Sequence, residues 1–266
     1  MKLEKKSKTG NHNIGIDEAK IVCMFFIVIL HILGHGGVIA GTKYFTVNYE
    51  IMWLLKCFCL CAVNCYAIIS GYLLVDKNFK ISRICKLWIE VEIFSVFITT
   101  FSIIISGNSI SSGQLIVAFF PFLSKQYWYF TIYIGVFFLS PYLNLIISKF
   151  SKRDLEKMLG MIFILVCIIP TVINFDLFET PTGSLFWMCY CYLIGGYIKK
   201  YNIKIKYSAL WYVVGATVMW VGRFVYEIIK SNVNIEYQGG GILNSGYICF
   251  TFLLNECNRV AVYAKK

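Results

Sequence analysis

Two histidines and a lysine in one apolar stretch are the first residues able to do chemistry. His31 stands eleven positions after Lys20, and His35 four positions after His31. Three turns of an α-helix take about 10.8 residues, so on a helix all three share nearly one face. At about 1.5 Å per residue, Lys20 and His31 are ~16 Å apart along the axis. This spacing puts Lys20 near one membrane interface and His31 near the midplane. An imidazole held away from water favours its neutral form. A neutral imidazole can take the proton of a hydroxyl, the work of a general base. The plainer alternatives are an interior histidine bonded to a neighbouring helix, and a lysine that snorkels to the interface. A metal pair at His31 and His35 lacks a visible third ligand, so no metal is expected.

Other polar groups in apolar surroundings are candidates by the same logic. Arg223 and Glu227 are spaced i, i+4. They form either a mutually neutralising pair or a cation aimed at an anionic group on the outer side. Glu90 and Glu92 lie roughly 200° apart on a helix and so are no acid/base pair. Glu90 is spaced to pair with Lys86. Trp128, Tyr129 and Tyr133 fit an interfacial aromatic belt, with a sugar-stacking platform as the alternative. The chain has 11 cysteines and no C-x-x-C pair. Cys57, Cys61 and Cys65 make one helical stripe of small interior hydrophobes. No G-x-S-x-G, P-loop, dinucleotide fingerprint or H-E-x-x-H occurs, so soluble-type mechanisms have no support.

The elements that must hold these residues are set by composition. Of 266 residues, 58% are hydrophobic and only 15% charged, with a mean hydropathy of +0.69. Soluble domains carry roughly 25% charge. The composition therefore excludes a soluble enzyme, a disordered chain and a free nucleic-acid binder. Eight stretches approach the ~20 apolar residues that cross a bilayer: Lys20–Ala40, Ile51–Val75, Ile84–Ser106, Tyr127–Ile147, Leu159–Phe175, Ser184–Ile198, Ala209–Ile229 and Ile242–Val262. Leu115–Leu123, interrupted by Pro121, is too short to span. The expected fold is all-α, a polytopic membrane bundle of about eight spans in a single domain over 1–266, with 1–19 as an N-terminal cytoplasmic segment.

Basic residues test that layout. The N-terminus, the second, fourth and sixth loops and the C-terminal tail hold 19 of the 25 lysines and arginines. The alternate loops hold only Lys43, Lys125 and Lys230, and Lys20, Lys56 and Arg223 fall in or beside spans. The alternation puts both termini in the cytoplasm and accounts for the +11 charge without nucleic acid. A cleavable leader ending near Ala40 would upset the topology of every later loop.

The order of motifs resembles one family. GIDEAKIVCMFFIVILHILGHGG (Gly15–Gly37), NCYAIISGYLL (Asn64–Leu74), the K-x-x-R of Lys80–Arg83, QYWYFTIYIGVFFLSPYLN (Gln126–Asn144) and SLFWMCYCYLIGGYIKKY (Ser184–Tyr201) are similar to successive segments of the acyltransferase 3 family of bacterial membrane O-acyltransferases. The resemblance implies that His31 is the essential histidine of acyl transfer. The family's arginine, eleven positions earlier, falls on Lys20, which becomes the acyl-donor contact. His35, Asn64, Ser70, Trp128 and Arg223 are the accompanying pocket candidates. It further implies a multi-pass protein of the bacterial plasma membrane with no bound cofactor. Acetyl-CoA, or another acyl-CoA, would be the co-substrate, and a cell-surface glycan or lipid-linked sugar the acceptor. Family members usually have more spans than the eight read here, as expected if this one is shortened at its C-terminus. Two competing expectations are a carrier or flippase for a glycan precursor and an inactive member.

Overall fold

A computed structural model describes residues 14–106, 127–169, 184–203 and 206–232. Among these the regular structure is helical throughout: α1 (Ile14–Leu33), α2 (Val47–Cys59), α3 (Ala62–Leu74), α4 (Ile81–Ser106), α5 (Trp128–Lys149), α6 (Lys152–Phe163, running on into a π-turn, Ile164–Ile168), α7 (Leu185–Tyr201) and α8 (Ser208–Asn232). Val47–Leu74, Ile81–Ile105, Trp128–Lys149 and Ala209–Ile229 are each long and apolar enough to cross a membrane. They correspond to the second, third, fourth and seventh expected spans. The eighth, the end of the fifth and Leu115–Leu123 lie outside the described residues.

The first span is displaced from its expected position. The helix begins at Ile14, not Lys20, and ends at Leu33, not Ala40. Asp17 suits the positive end of the helix dipole and lets it start early. Gly34, Gly36 and Gly37 close it in a series of turns, with Gly37 at φ +71°, a conformation glycine adopts without strain. His31 is thus near the C-terminal end of α1 and is exposed.

The second span is one crossing with a break. The carbonyl of Phe58 accepts from the Tyr212 hydroxyl of α8 and from the Cys61 thiol. Side chains that enter the i→i−4 ladder in this way interrupt a helix. In α5, Pro141 cannot donate to the Phe137 carbonyl. The Ser140 hydroxyl donates to it instead, at 2.6 Å. At the basic end, Lys200 donates to the carbonyls of Ile147 (2.5 Å), Ser148 (3.3 Å) and Phe150 (3.1 Å), which close α5. A cation there also suits the negative end of the dipole.

The bundle is organised around α3 and α7. A Cβ on Gly71 would run into the Tyr192 carbonyl, and one on Gly195 into the Ile68 carbonyl and the Tyr72 amide. The two backbones touch in both directions. Gly196 seats the Ile147 side chain of α5 in the same way. Trp187 donates to Asn64 (3.0 Å), and Asn144 joins Tyr192 (2.9 Å) to the Leu74 carbonyl (3.1 Å). These pairs advance together in sequence, so α3, α5 and α7 run parallel. Against them α1 runs antiparallel, since Lys20 meets Tyr66 while the later Cys23 meets the earlier Ala62. The same holds for α8, where Tyr212 meets Phe58 and Arg223 meets Glu50. α1 and α8 thus run opposite to α3, α5 and α7, as the charge alternation requires. Cys57, Cys61 and Cys65 are buried, in keeping with interior hydrophobes.

Gly195→Ala is expected to destabilise the bundle by ~3 kcal/mol, at the upper end of overpacking costs. Gly160→Ala, in α6 with nothing within 4 Å of the new Cβ, is expected to be neutral or slightly stabilising. The yield of monodisperse protein in detergent and its melting temperature report both. Equal melting temperatures would refute the backbone contact.

Candidate active site

The site is built on one face of α1. Lys20 is in its second turn, with Nζ 3.3 Å from the Asp17 carboxylate and the side chain 38% exposed. It lines a cleft of about 390 Å³ with Tyr66, Ser70 and Leu73 of α3, Leu87 and Val91 of α4, and Phe130, Tyr129 and Tyr133 of α5. Volumes of this order are those of small-molecule sites. Tyr66 donates to the Lys20 carbonyl at 2.8 Å and pins α1 to α3. Ser70 donates to the Tyr66 carbonyl at 2.7 Å. The lining is mainly apolar. Polar groups enter from Lys20, Ser70 and the tyrosines.

Leu87 and Val91 reach the cleft from positions i and i+4 of α4. Arg83 is one turn earlier on that face, toward the lysine-rich end, and Lys80 precedes the helix by one residue. By spacing, Arg83 shares the α4 face that carries Leu87 and Val91. Nothing in the lining supplies a cluster of metal-binding groups, and among the described residues no three His, Cys, Asp or Glu side chains converge.

His31 stands about 16 Å further along α1 than Lys20, on nearly the same face. Its Nδ1 is 2.8 Å from the Ile27 carbonyl oxygen. A carbonyl only accepts, so in the neutral ring this bond needs the proton on Nδ1. Nε2 is then left with its lone pair, free to take a proton. The His35 ring lies 5.4 Å from it, tilted by 37°.

The other sequence candidates separate. Ser70 is in the cleft with Lys20. Asn64 is buried and accepts the Trp187 indole hydrogen, which makes it a pin between α3 and α7. Trp128 is 43% exposed at the head of α5, edge-on to Tyr129 at 5.9 Å. Tyr129 and Tyr133 line the cleft. Arg223 is buried on α8 against α2. It pairs with Glu227 at 2.5 Å and with Glu50. The i, i+4 pair is real, and its second carboxylate comes from another helix.

Sequence reasoning missed Tyr66, Leu87 and Glu50. Tyr66 had one usable signal, a hydroxyl one turn before Ser70 on the same helix. Glu50 had none, because its partner is 173 positions away.

No curated protein and no solved structure matches the chain. A family model of the acyltransferase domain does, over residues 13–254. That match takes in α1 with Lys20 and His31, the cleft helices α3 to α5, and α7 and α8. The chain therefore belongs to the acyltransferase 3 family, and is a multi-pass membrane acyltransferase.

Proposed function

We propose that the protein moves an acyl group, acetyl in the simplest case, from acyl-CoA on the cytoplasmic side to a hydroxyl of a cell-surface glycan or lipid-linked saccharide. The whole of 1–266 acts as one transferase domain in a bacterial plasma membrane, with both termini cytoplasmic. The observation that carries this reading is the α1 face. It presents Lys20 in a mainly apolar cleft and, about 16 Å further along the helix, a histidine with a bare Nε2.

In this scheme the anionic part of the donor meets Lys80, Arg83 and Lys20. The pantetheine arm rises through the cleft, and the thioester reaches His31. Nε2 takes the proton of the acceptor hydroxyl as its oxygen attacks the thioester carbonyl. An ester C–O bond forms and the C–S bond breaks. The proton passes from the imidazolium to the departing thiolate and yields free CoA thiol. Ser70 and the cleft tyrosines would orient the arm. His35 flanks the ring that moves the proton.

Removing a general base costs typically 10²–10⁴ in rate. His31→Ala is expected to lower transfer of label from radioactive acetyl-CoA into envelope glycans at least ~100-fold, with membrane insertion unchanged. Retained transfer would remove His31 from the mechanism. Lys20→Ala is expected to raise the acyl-CoA KM roughly tenfold, the size of one charge-assisted hydrogen bond. Lys20→Arg should keep or improve it, since arginine holds phosphate through two bonds. An acyl-CoA KM that ignores both changes would place the donor elsewhere. A carrier would instead move glycan without consuming acyl-CoA.

A further inference from the structure

The buried cluster between α2 and α8 is used by no step above. Arg223, Glu227 and Glu50 form an ion-paired triad in the outer part of the bundle. Trp220 donates to Glu50 at 3.1 Å, and the Tyr49 hydroxyl to Glu227 at 3.4 Å. The guanidinium lies over the rings of Tyr49 (5.5 Å) and Trp53 (4.8 Å), and Lys56 over Trp53 at 4.2 Å. Two cations and two carboxylates leave the cluster neutral, so an anion is not what it recruits.

Three of its buried polar atoms have no hydrogen-bond partner among the described residues: the Trp53 Nε1 and Arg223 Nε donors and the Glu50 Oε1 acceptor. Each such atom costs free energy, most of all where lipid replaces water. Two donors and one acceptor in one cluster match a hydroxyl, which accepts and donates. Hydroxyls set among aromatic rings, carboxylate and guanidinium are the chemistry of a saccharide.

The location fits an acceptor arriving from outside. Tyr49 and Glu50 are in the first turn of α2. Phe26 of α1 packs on Cys57 of α2 and Met219 of α8, a shared layer. From that layer His31, Trp53 and Arg223 are each four or five residues further out, ~6–8 Å. His31 is about 140° around α1 from Phe26, so the cluster does not face the reacting group. α1 stands between the two, so the cluster is more than one interhelical distance, ~8–10 Å, from His31.

We propose that this cluster is a saccharide subsite, gripping a neutral sugar unit of the acceptor remote from the one acylated at His31. The proposal rests on the transferase reading but can be tested apart from it. The probe is the glycan fraction released by mild acid from the envelope of the expressing cells. Its binding to purified protein is followed by calorimetry without acyl donor, and its KM is measured with labelled acetyl-CoA. Trp53→Phe keeps the ring and removes the free donor. It is expected to weaken glycan binding and raise the glycan KM about tenfold, with the acetyl-CoA KM and melting temperature unchanged. Trp53-dependent binding without any transfer would keep the subsite and defeat the transferase reading. His31-dependent transfer with the same glycan KM in both proteins would defeat the subsite and leave only bound water at those atoms. Absence of saturable glycan binding to the unaltered protein would also overturn it.

Discussion

Two glycines facing two carbonyls hold the geometry of this bundle together. Lipid tails are as apolar as leucine, so membrane helices gain little by hiding apolar surface from one another. Association needs close backbone approach instead, and Gly71 and Gly195 allow it between α3 and α7. The rest follows from that contact. With α3 fixed, Tyr66 holds α1 by its carbonyl, which sets where Lys20 enters the cleft. With α7 fixed, Gly196 and Asn144 fix α5, and with it the cleft tyrosines. By contrast, among the described residues only 6% of the α4 window is buried. Its part is to close one wall of the cleft rather than to carry the fold.

Backbone polar groups in such a setting must be satisfied inside the protein. The exceptions to regular helix show how. Ser140 serves the carbonyl that Pro141 cannot reach, Tyr212 and Cys61 serve Phe58 at the break between α2 and α3, and Lys200 serves the end of α5. The Arg223 triad is of another kind. A buried ion pair is weak evidence for stability, because desolvation offsets much of the attraction. A triad that also leaves three polar atoms unpaired is harder still to justify by stability alone. That imbalance is the physical ground for giving it a ligand.

The separation of Lys20 from His31 divides the labour along one helix. In the proposed mechanism, charge recognition falls to Lys20, in a mainly apolar cleft. In the same proposal, proton transfer falls to His31 near the C-terminal end of α1, where the Ile27 carbonyl fixes the ring tautomer. A reaction that joins an inner donor to an outer acceptor needs such a span, and a single straight α-helix supplies it.

Much of this was legible in the chain alone. Hydropathy marked the crossings, and alternating lysines gave directions that the antiparallel and parallel contacts match. The 3.6-residue period put Lys20 and His31 on one face and paired Arg223 with Glu227. All of these are local, set by spacing within one segment. The helix limits of α1 were misplaced, because hydropathy marks apolar length and not where a dipole-favoured start or a glycine turn ends a helix. Tertiary structure alone decided which glycines meet which carbonyls and that Asn64 pins helices. It also turned Tyr129 and Tyr133 into a cleft and brought Glu50 to Arg223. Those contacts join segments up to 173 residues apart, and no periodicity within a helix records which distant surface it will touch.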